Sequence, residues 1–258
     1  MEWNGLRQFK PFGQDRHGVW HGFQAWRAEF DRILLGRACD VGITVLQPCR
    51  AIRPFVKAGR VEGAITSGGF LSSAFVVDAA GSRHWLARHL GLTIEAYSPR
   101  LIACYGYIEG KCSGRNEAPA IVRDENGWIW TARVGSGLYA WTRFTLHDEE
   151  IPADWLPSAL HDLQPWGKTR RADVTWRIVT LAAGLGYYLV GDAAAVLDPA
   201  SSHGMLKAIM SGMMAAQTIV QIVQHQLDET QAAYAYNRWV YDWFEHNERR
   251  LRELYRVL

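Results

Sequence analysis

The strongest constraint in this 258-residue sequence is one continuous element between Tyr187 and Met205. It begins with an apolar run, continues with Gly191 and Asp192, and passes through a proline-containing loop to Gly204 and a long apolar segment. A buried strand, a turn and a helix in this order are typical of an open α/β sheet, where ligands lie beyond the carboxyl ends of the strands. The pattern therefore predicts an acidic side chain and a helix N-terminus at a ligand-binding edge.

The residues of this element also indicate a class of ligand. The Asp192 carboxylate can accept a hydrogen bond from a ribose or ribitol hydroxyl, and the free N–H groups of a helix start can bind an electron-rich oxygen. A flavin nucleotide has both kinds of group. A Gly-Asp pair alone is ordinary turn chemistry, but the continuation Asp-Pro-Ala-Ser-Ser-His-Gly at 198–204 is far rarer. The extended pattern favours the flavin interpretation.

Composition excludes several other classes. Lysine and arginine total 28 against 26 aspartate and glutamate residues, a formal net charge of +2, so no basic surface for nucleic acid is predicted. The four cysteines have no metal-ligand spacing, which predicts reduced thiols, a cytoplasmic location and no metal site. The sequence shows no signal peptide pattern and no apolar run of about 18 residues, so no membrane span is expected.

Periodicity predicts an α/β (α+β) fold in three parts. Residues 23–96 and 183–226 show strand and helix patterns typical of a nucleotide-binding lobe. Residues 1–22 and 97–182 contain period-two runs typical of an antiparallel sheet, which would form a substrate-binding lobe inserted into the first. Residues 227–258 form a C-terminal helical segment.

Individual elements are predicted within these parts. In the first lobe we expect an amphipathic helix from Phe23 to Val41, a fully buried strand at 75–77 and strands near 43–47, 50–57 and 60–66. In the inserted lobe we expect strands at 101–108, 128–134, 138–144 and 172–179. The long helix after residue 204 is expected to bury one apolar face, made of Met205, Ile209, Met213, Ala216, Val220 and Val223.

The chain is rich in aromatic residues, with twelve tryptophans and ten tyrosines. Core packing explains such a load as well as a pocket for a flat substrate does. The candidate pocket wall lies on the strands of the middle sheet and consists of Tyr105, Tyr107, Trp128, Trp130, Tyr139 and Trp141.

Four segments resemble the FAD-dependent monooxygenase superfamily, and in particular its branch of tryptophan halogenases and the tryptophan hydroxylases of tryptophylquinone biogenesis. These segments are residues 26–31, 76–83, 127–130 and 191–212. The resemblance implies an FAD cofactor. It implies that Asp192, after Gly191, hydrogen-bonds the ribose or ribitol, that Pro199 lies near the flavin ring, and that the N–H groups of Gly204 and Met205 face its pyrimidine end.

Two further cofactor contacts are implied by the same resemblance. Arg27 occupies a position where the family often has an arginine that reaches the cofactor, although a solvated charge on a helix is a nearly equal alternative. Val45 would line the adenine site, and core packing is an equal alternative for this residue.

The resemblance implies a monooxygenase that hydroxylates an aromatic ring such as tryptophan, free or within a protein, with a flavin-dependent halogenase as the alternative. Halogenases carry Trp-x-Trp-x-Ile-Pro, whereas Trp128-Ile129-Trp130 is followed here by Thr131-Ala132-Arg133, which weakens the halogenase assignment. Ala80 precedes Gly81 where the aromatic hydroxylases have Asp-Gly, so a separate flavin reductase is expected as a partner.

The sequence lacks the opening strand, Gly-x-Gly-x-x-Gly turn and helix that bind the pyrophosphate in this superfamily. Residues 135–140 match the spacing, but an aromatic strand follows instead of a helix. The expectation is therefore a truncated FAD-binding lobe that lacks its first βαβ unit. Three explanations are open: the start is misassigned, the chain is a fragment, or another polypeptide supplies the unit. A truncated or split non-catalytic flavoprotein fragment is accordingly a third alternative for the function. No catalytic residue is assigned.

Overall fold

The computed structural model describes residues 2–3, 6–7, 13–19, 22, 24–112, 118–124, 126–146, 151–152 and 154–256. Its helices are α1 (Arg27–Asp40), α2 (Trp85–His89), α3 (Gly204–Val223) and α4 (Glu229–Arg256). Its strands are β1 (Glu2–Trp3), β2 (Leu6–Arg7), β3 (Gln14–Asp15), β4 (Gly18–Val19), β5 (Ala51–Lys57), β6 (Arg60–Thr66), β7 (Gly69–Ser72), β8 (Val76–Asp78), β9 (Ile94–Ala96), β10 (Ile102–Glu109), β11 (Ala120–Asp124), β12 (Gly127–Gly135), β13 (Leu138–Thr145), β14 (Gln164–Asp173), β15 (Arg177–Val179), β16 (Ala183–Gly184), β17 (Tyr187–Leu189) and β18 (Ala195–Val196).

The chain divides into two compact units, residues 1–45 with 101–173 and residues 46–100 with 174–258. This division differs in its boundaries from the predicted lobes. Residues 24–45 are grouped with the large sheet rather than with residues 46–96, and the C-terminal helix is part of the second unit. The assignment of the lobes to cofactor and substrate stays a prediction.

The first unit is built on a seven-stranded sheet with the order β14-β10-β13-β12-β11-β1-β2. All its pairs are antiparallel except β1 with β11, which confirms the predicted antiparallel sheet. On one face a cluster of buried side chains includes Tyr139 and Trp141 of β13, packed with Ile151 and Leu160. Such burial of large apolar surface stabilises the unit because it removes that surface from water.

Helix α1 of the same unit begins at Arg27, and the predicted start at Phe23 lies outside the described residues. None of its residues is buried, and Ile33 and Leu34 are exposed. The helix is present as predicted, but its apolar residues form no buried face. The strand predicted at 43–47 is not formed, since residues 43–47 have no ladder partner among the described residues.

The second unit has a core around β17, where Tyr188 and Leu189 are fully buried. β17 pairs in parallel with β8 and antiparallel with β16. Gly186 precedes β17 with a φ of 76°, and a Cβ there would lie 2.0 Å from the carbonyl oxygen of Val61 in β6. Only glycine permits both this backbone conformation and this close approach. Strands β5, β6 and β7 form a separate antiparallel sheet.

Strand β8 lies at the edge of its three-stranded sheet and pairs only with β17 among the described residues. Val77 is exposed and Phe75 and Val76 are only half-buried, so the prediction of a fully buried strand at 75–77 is wrong. The run predicted as one strand at 172–179 is divided between β14 and β15, because residues 174–176 leave the large sheet.

Helix α3 presents a different face to the core from the one that its apolar residues predict. Its buried residues are Lys207, Ser211, Ala215 and Thr218. The predicted apolar face is exposed, with Met213 at 67% and Val223 at 59% exposure. The polar residues can be buried because each of them is hydrogen-bonded, to Asp192, Gly191 or the helix backbone.

Candidate functional site

The Gly191–Ala193 turn follows β17 as a short 3-10 helix. Gly191 has a φ of 56°, and its N–H donates to Ser211 Oγ at 2.9 Å. A Cβ at Gly191 would lie 3.2 Å from the Cβ of Ala208. The turn is thus packed directly on α3, which fixes the position of the adjacent carboxylate.

Asp192 is the exposed residue of this turn. Its Oδ1 accepts a hydrogen bond from Lys207 Nζ at 2.9 Å, and its side chain remains 52% exposed while that of Lys207 is 6% exposed. No hydrogen bond to Oδ2 is found within the described part of the chain. The carboxylate therefore has one oxygen held by the protein and one free to accept from a ligand hydroxyl.

The loop at 198–203 is held in place by hydrogen bonds to the side chain of Asp198, which is fully buried. Its carboxylate accepts from the Ala200 N–H at 2.8 Å and from Trp176 Nε1 at 2.9 Å, and it also bonds with Tyr255 of α4. Burial raises the pKa of Asp198 to about 6, although these hydrogen bonds act in the opposite direction. Pro199 follows at the surface and begins a second 3-10 turn.

Helix α3 begins at Gly204, and its N-cap residue His203 makes no capping hydrogen bond. The His203 ring instead contacts Asn247 of α4, with Nδ1 2.8 Å from Oδ1. A Cβ built at Gly204 would meet no atom within 4 Å, and Met205 is exposed. The first-turn N–H groups thus lie at an open surface without a side-chain cap, an arrangement that suits an electron-rich oxygen.

His84 supports the turn from the opposite side. It is fully buried, with Nδ1 2.9 Å from the Ala193 carbonyl oxygen, and Arg177 Nε donates to its Nε2 at 2.9 Å. Burial is the largest cause of its lowered pKa, and the Arg177 charge acts in the same direction. This pattern fits a neutral ring protonated at Nδ1. No local sequence pattern around His84 indicates this role, because its partners Ala193 and Arg177 are distant in the sequence.

The sheet register separates the six predicted pocket residues onto two faces. Cross-strand pairs share a face, and Tyr105 pairs with Thr142, Tyr107 with Ala140, and Trp130 with Thr142. Tyr105, Tyr107, Trp128 and Trp130 therefore lie on one face. Tyr139 and Trp141 lie on the other, where they are buried in the core. Tyr139 and Trp141 alternate along β13 with Ala140 and Thr142, and alternate side chains of a strand point to opposite sides of the sheet. The prediction that they belong to the same pocket wall is therefore wrong.

Two tryptophans that the sequence did not single out extend the first face. Trp166 of β14 contacts Tyr107 edge to face at 5.8 Å between ring centroids, and Trp26 contacts Trp166 at 5.5 Å. Trp128 is buried and stacks on Phe144, whereas Tyr105, Tyr107 and Trp130 are partly exposed. We call this surface the aromatic face, defined by Trp26, Tyr105, Tyr107, Trp128, Trp130 and Trp166.

Arg27 and Val45 belong to the first unit, whereas the other predicted cofactor residues belong to the second. The Arg27 guanidinium forms an exposed ion pair with Asp31 at 3.1 Å, as expected for a solvated helix charge. Val45 is half-buried in an irregular segment. Their predicted contacts with the cofactor stay predictions.

The structure contains a cavity of about 410 Å³ in the first unit and one of about 580 Å³ in the second. Neither is lined by a predicted site residue. The first lies among Ile129, Trp155 and His161, and the second between the β5–β6 sheet and the 76–89 segment.

The described residues bear on two expected absences, a metal site and a membrane-spanning helix. No group of three histidine, cysteine, aspartate or glutamate side chains there could hold a metal ion. Helix α3 is long and apolar enough to cross a membrane by length and composition, which the sequence alone did not predict. Only 22% of this apolar stretch is buried, and α3 contacts both the Gly-Asp turn and α4.

The family model of tryptophan halogenase matches residues 6–256. The chain belongs to the tryptophan halogenase family. The predicted resemblance and α/β fold are thereby confirmed, and the predicted FAD cofactor is confirmed at the level of the family.

A tryptophan 2-halogenase from Chondromyces crocatus is 27% identical over 265 residues, which cover 92% of this chain and 50% of the relative. A digeranylgeranylglycerophospholipid reductase from Methanoculleus marisnigri is 28% identical over 229 residues, covering 79% of this chain and 55% of the relative. The chain thus spans about half the length of the curated relatives it matches.

Two solved structures share the fold. The flavin-dependent brominase Bmp2 superposes with a TM-score of 0.74 at 20% identity, covering 86% of this chain and 62% of that one. The flavin-dependent halogenase CmlS gives 0.72 at 23% identity, covering 92% and 47%. The predicted absence of the Gly-x-Gly-x-x-Gly unit stays a prediction.

Proposed function

We propose that this chain provides residues of an FAD-dependent oxidoreductase that modifies an electron-rich aromatic ring. The observation that carries the proposal is the pairing of a half-exposed carboxylate, Asp192, with the uncapped first turn of α3 at Gly204 and Met205. Both groups belong to one compact unit and are joined through Lys207. Membership of the tryptophan halogenase family supports the same assignment.

The residues present fit a flavin nucleotide. Asp192 would accept a hydrogen bond from a ribitol or ribose hydroxyl, and the N–H groups of Gly204 and Met205 would bind the electron-rich pyrimidine oxygens. The open space at Gly204 leaves room for a planar ring, and Pro199 would contact it. When bound, FAD supplies the electron-transfer and oxygen chemistry, while these residues bind and orient it.

Halogenation is the reaction that we propose. Support comes from the family and from the relatives, several of which are named as flavin-dependent halogenases. Hydroxylation is the second candidate, and one observation favours it. Residues 131–133 read Thr-Ala-Arg after the Trp-x-Trp pair, where the halogenase pattern predicts a different continuation. The aromatic face would orient the ring and exclude water in either reaction.

The substrate that we propose is a tryptophan-like ring, free or in a protein, with reduced flavin supplied by a separate reductase. Four partly exposed aromatic side chains, Tyr105, Tyr107, Trp130 and Trp166, offer stacking surface for such a ring. We also propose a cytoplasmic location, which the four free cysteines support.

The first test is flavin binding by the purified chain. Titration with FAD, followed by flavin fluorescence and absorbance, is expected to give saturable binding. Asp192→Ala should raise the Kd for FAD about tenfold, because a hydrogen bond to a charged group is lost. Asp242→Ala is the matched control, since Asp242 is also 52% exposed and ion-paired. A wild-type chain that stays colourless with added FAD would exclude a stand-alone flavoprotein.

The second test separates the two reactions. Reduced flavin, oxygen and tryptophan are supplied with and without bromide or chloride, and the product is analysed by mass spectrometry. A halogenated product that requires the halide supports the proposal. An oxygenated product that forms without halide would replace it with hydroxylation.

A further inference from the structure

Lys207 is the charged member of the buried polar face of α3. Its ammonium group donates to Asp192 Oδ1 at 2.9 Å and to the Ala195 carbonyl oxygen at 2.5 Å. The same group lies 5.5 Å from the centroid of the Trp243 ring of α4. Three elements therefore converge on one ammonium group that is almost entirely removed from water.

This position is unfavourable for a lysine on two physical grounds. Removing an ammonium group from water opposes folding unless it is paired and hydrogen-bonded. A cation in the first turn of a helix also faces the positive end of the helix dipole, and α3 begins only three residues earlier at Gly204. A methionine of similar length would avoid both penalties, so the charge at this position indicates a role beyond packing.

Asp192, the ion-pair partner of Lys207, indicates what this role is. A half-exposed aspartate on a turn would ordinarily sample several side-chain rotamers. Here one carboxylate oxygen accepts a hydrogen bond from Lys207, whose buried ammonium group also donates to the Ala195 carbonyl and lies over the Trp243 ring. The other oxygen, Oδ2, accepts no hydrogen bond from any described residue. The ion pair thus fixes the carboxylate and leaves one acceptor open to solvent.

We propose that Lys207 is a positioning residue that orders Asp192 so that its free oxygen is presented to a hydroxyl of the flavin ribose or ribitol. This inference rests on the proposed function, in which Asp192 binds that hydroxyl. Ordering the carboxylate in advance improves binding because the conformational entropy of that side chain is lost before the ligand arrives. Loss of this ordering corresponds to about a 3- to 10-fold increase in Kd.

A double-mutant cycle on FAD affinity tests the coupling. Lys207→Met is expected to raise the Kd about 3- to 10-fold, and Lys207→Met combined with Asp192→Ala is expected to bind no more weakly than Asp192→Ala alone. Lys57→Met removes an exposed lysine of the same unit and serves as the control. Effects that simply add in the double variant would overturn the proposal. Lys207→Gln, which keeps a donor without the charge, replaces Lys207→Met if that variant fails to fold.

A second measurement needs no flavin and separates this inference from the proposed function. Three-bond NMR couplings to the Asp192 carboxyl carbon report its χ1 angle in the flavin-free chain. Wild type is expected to show one rotamer, and Lys207→Met is expected to show averaging. A single rotamer in both proteins overturns the positioning role. A wild-type chain that shows the ordered rotamer but binds no FAD leaves the ordering established and overturns the proposed function.

Discussion

The rings of Tyr188 and Tyr236 meet edge to face, with centroids 5.0 Å apart and planes at 89°. The two hydroxyl groups differ in their hydrogen bonding. The Tyr236 hydroxyl donates to the Leu189 carbonyl at 2.9 Å, whereas the buried Tyr188 hydroxyl has no hydrogen-bond partner among the described residues. Burial raises the pKa of Tyr188 to about 12, so this hydroxyl stays protonated under ordinary conditions.

This pair gives a matched prediction on stability. Tyr188→Phe should leave the free energy of unfolding unchanged or raise it by about 1 kcal/mol, because it removes an unsatisfied buried hydroxyl. Tyr236→Phe should lower it by about 1–2 kcal/mol, because the Leu189 carbonyl loses its donor. Urea unfolding followed by circular dichroism measures both. Equal losses in the two variants would show that the Tyr188 hydroxyl is satisfied in solution.

The His84 bridge between Ala193 and Arg177 predicts a second effect. His84→Ala should reduce the free energy of unfolding by about 3 kcal/mol, because the buried Ala193 carbonyl loses a donor, the partly buried Arg177 guanidinium loses one of its acceptors, and a cavity forms. His89→Ala is the control, since His89 is exposed and its Nδ1 lies 2.8 Å from the Trp85 carbonyl oxygen of the same helix. Thermal melting of both variants measures the difference. A His84→Ala chain as stable as His89→Ala would contradict the bridge.

The buried carboxyl of Asp198 predicts a pH dependence. Its pKa is raised from 3.8 to about 6 in the folded chain, so the folded state binds the proton more tightly than the unfolded state. The resulting stability is fully present below pH 3.8 and is lost as the pH rises through about 6, a change of about 3 kcal/mol at about 1.4 kcal/mol per pKa unit. Relative to Asp198→Asn, which does not titrate, wild type should therefore lose stability between about pH 4 and pH 7. Parallel stability profiles for the two proteins would exclude this titration.

The two faces of the large sheet predict opposite consequences for two tryptophans. Trp141→Ala should lower the free energy of unfolding by about 3–5 kcal/mol, since Trp141 is 1% exposed and packs against Trp155. Trp130→Ala should cost about 1 kcal/mol, because the side chain is only partly buried, and should instead weaken aromatic substrate binding. Urea unfolding and substrate titration of both variants test this assignment. A large stability loss for Trp130→Ala would place it in the core.

The exposed apolar face of α3 is expected to accept a charged substitution without loss of stability. Met213→Lys should change the free energy of unfolding by no more than about 0.5 kcal/mol and should reduce self-association, because a large exposed apolar side chain is replaced. Ala215→Lys on the buried face should prevent folding. Thermal melting and light scattering measure these effects. A drop of several degrees in the Met213→Lys melting temperature would show that this face is covered in solution.

Local sequence patterns were sufficient for the elements whose signals lie within a few neighbouring residues. The Gly191-Asp192 turn, the start of α3 near Gly204 and the strands β10, β12 and β13 follow from glycine positions and period-two alternation. The family followed from the same segments, because the motif at 191–212 is local. Short strands such as β7, β9 and β18 were missed, since two to four residues carry too little periodicity.

The tertiary structure decided what depends on pairing across the chain. Which aromatic residues share a face depends on the register between β10, β12 and β13, and this register placed Tyr139 and Trp141 in the core rather than beside Trp130. The buried side of α3 was decided by Asp192 and Gly191, which satisfy Lys207 and Ser211 and so allow a polar face to turn inward. Hydrophobic periodicity assigns burial to the apolar face because it does not include such partners, which only the folded chain brings together.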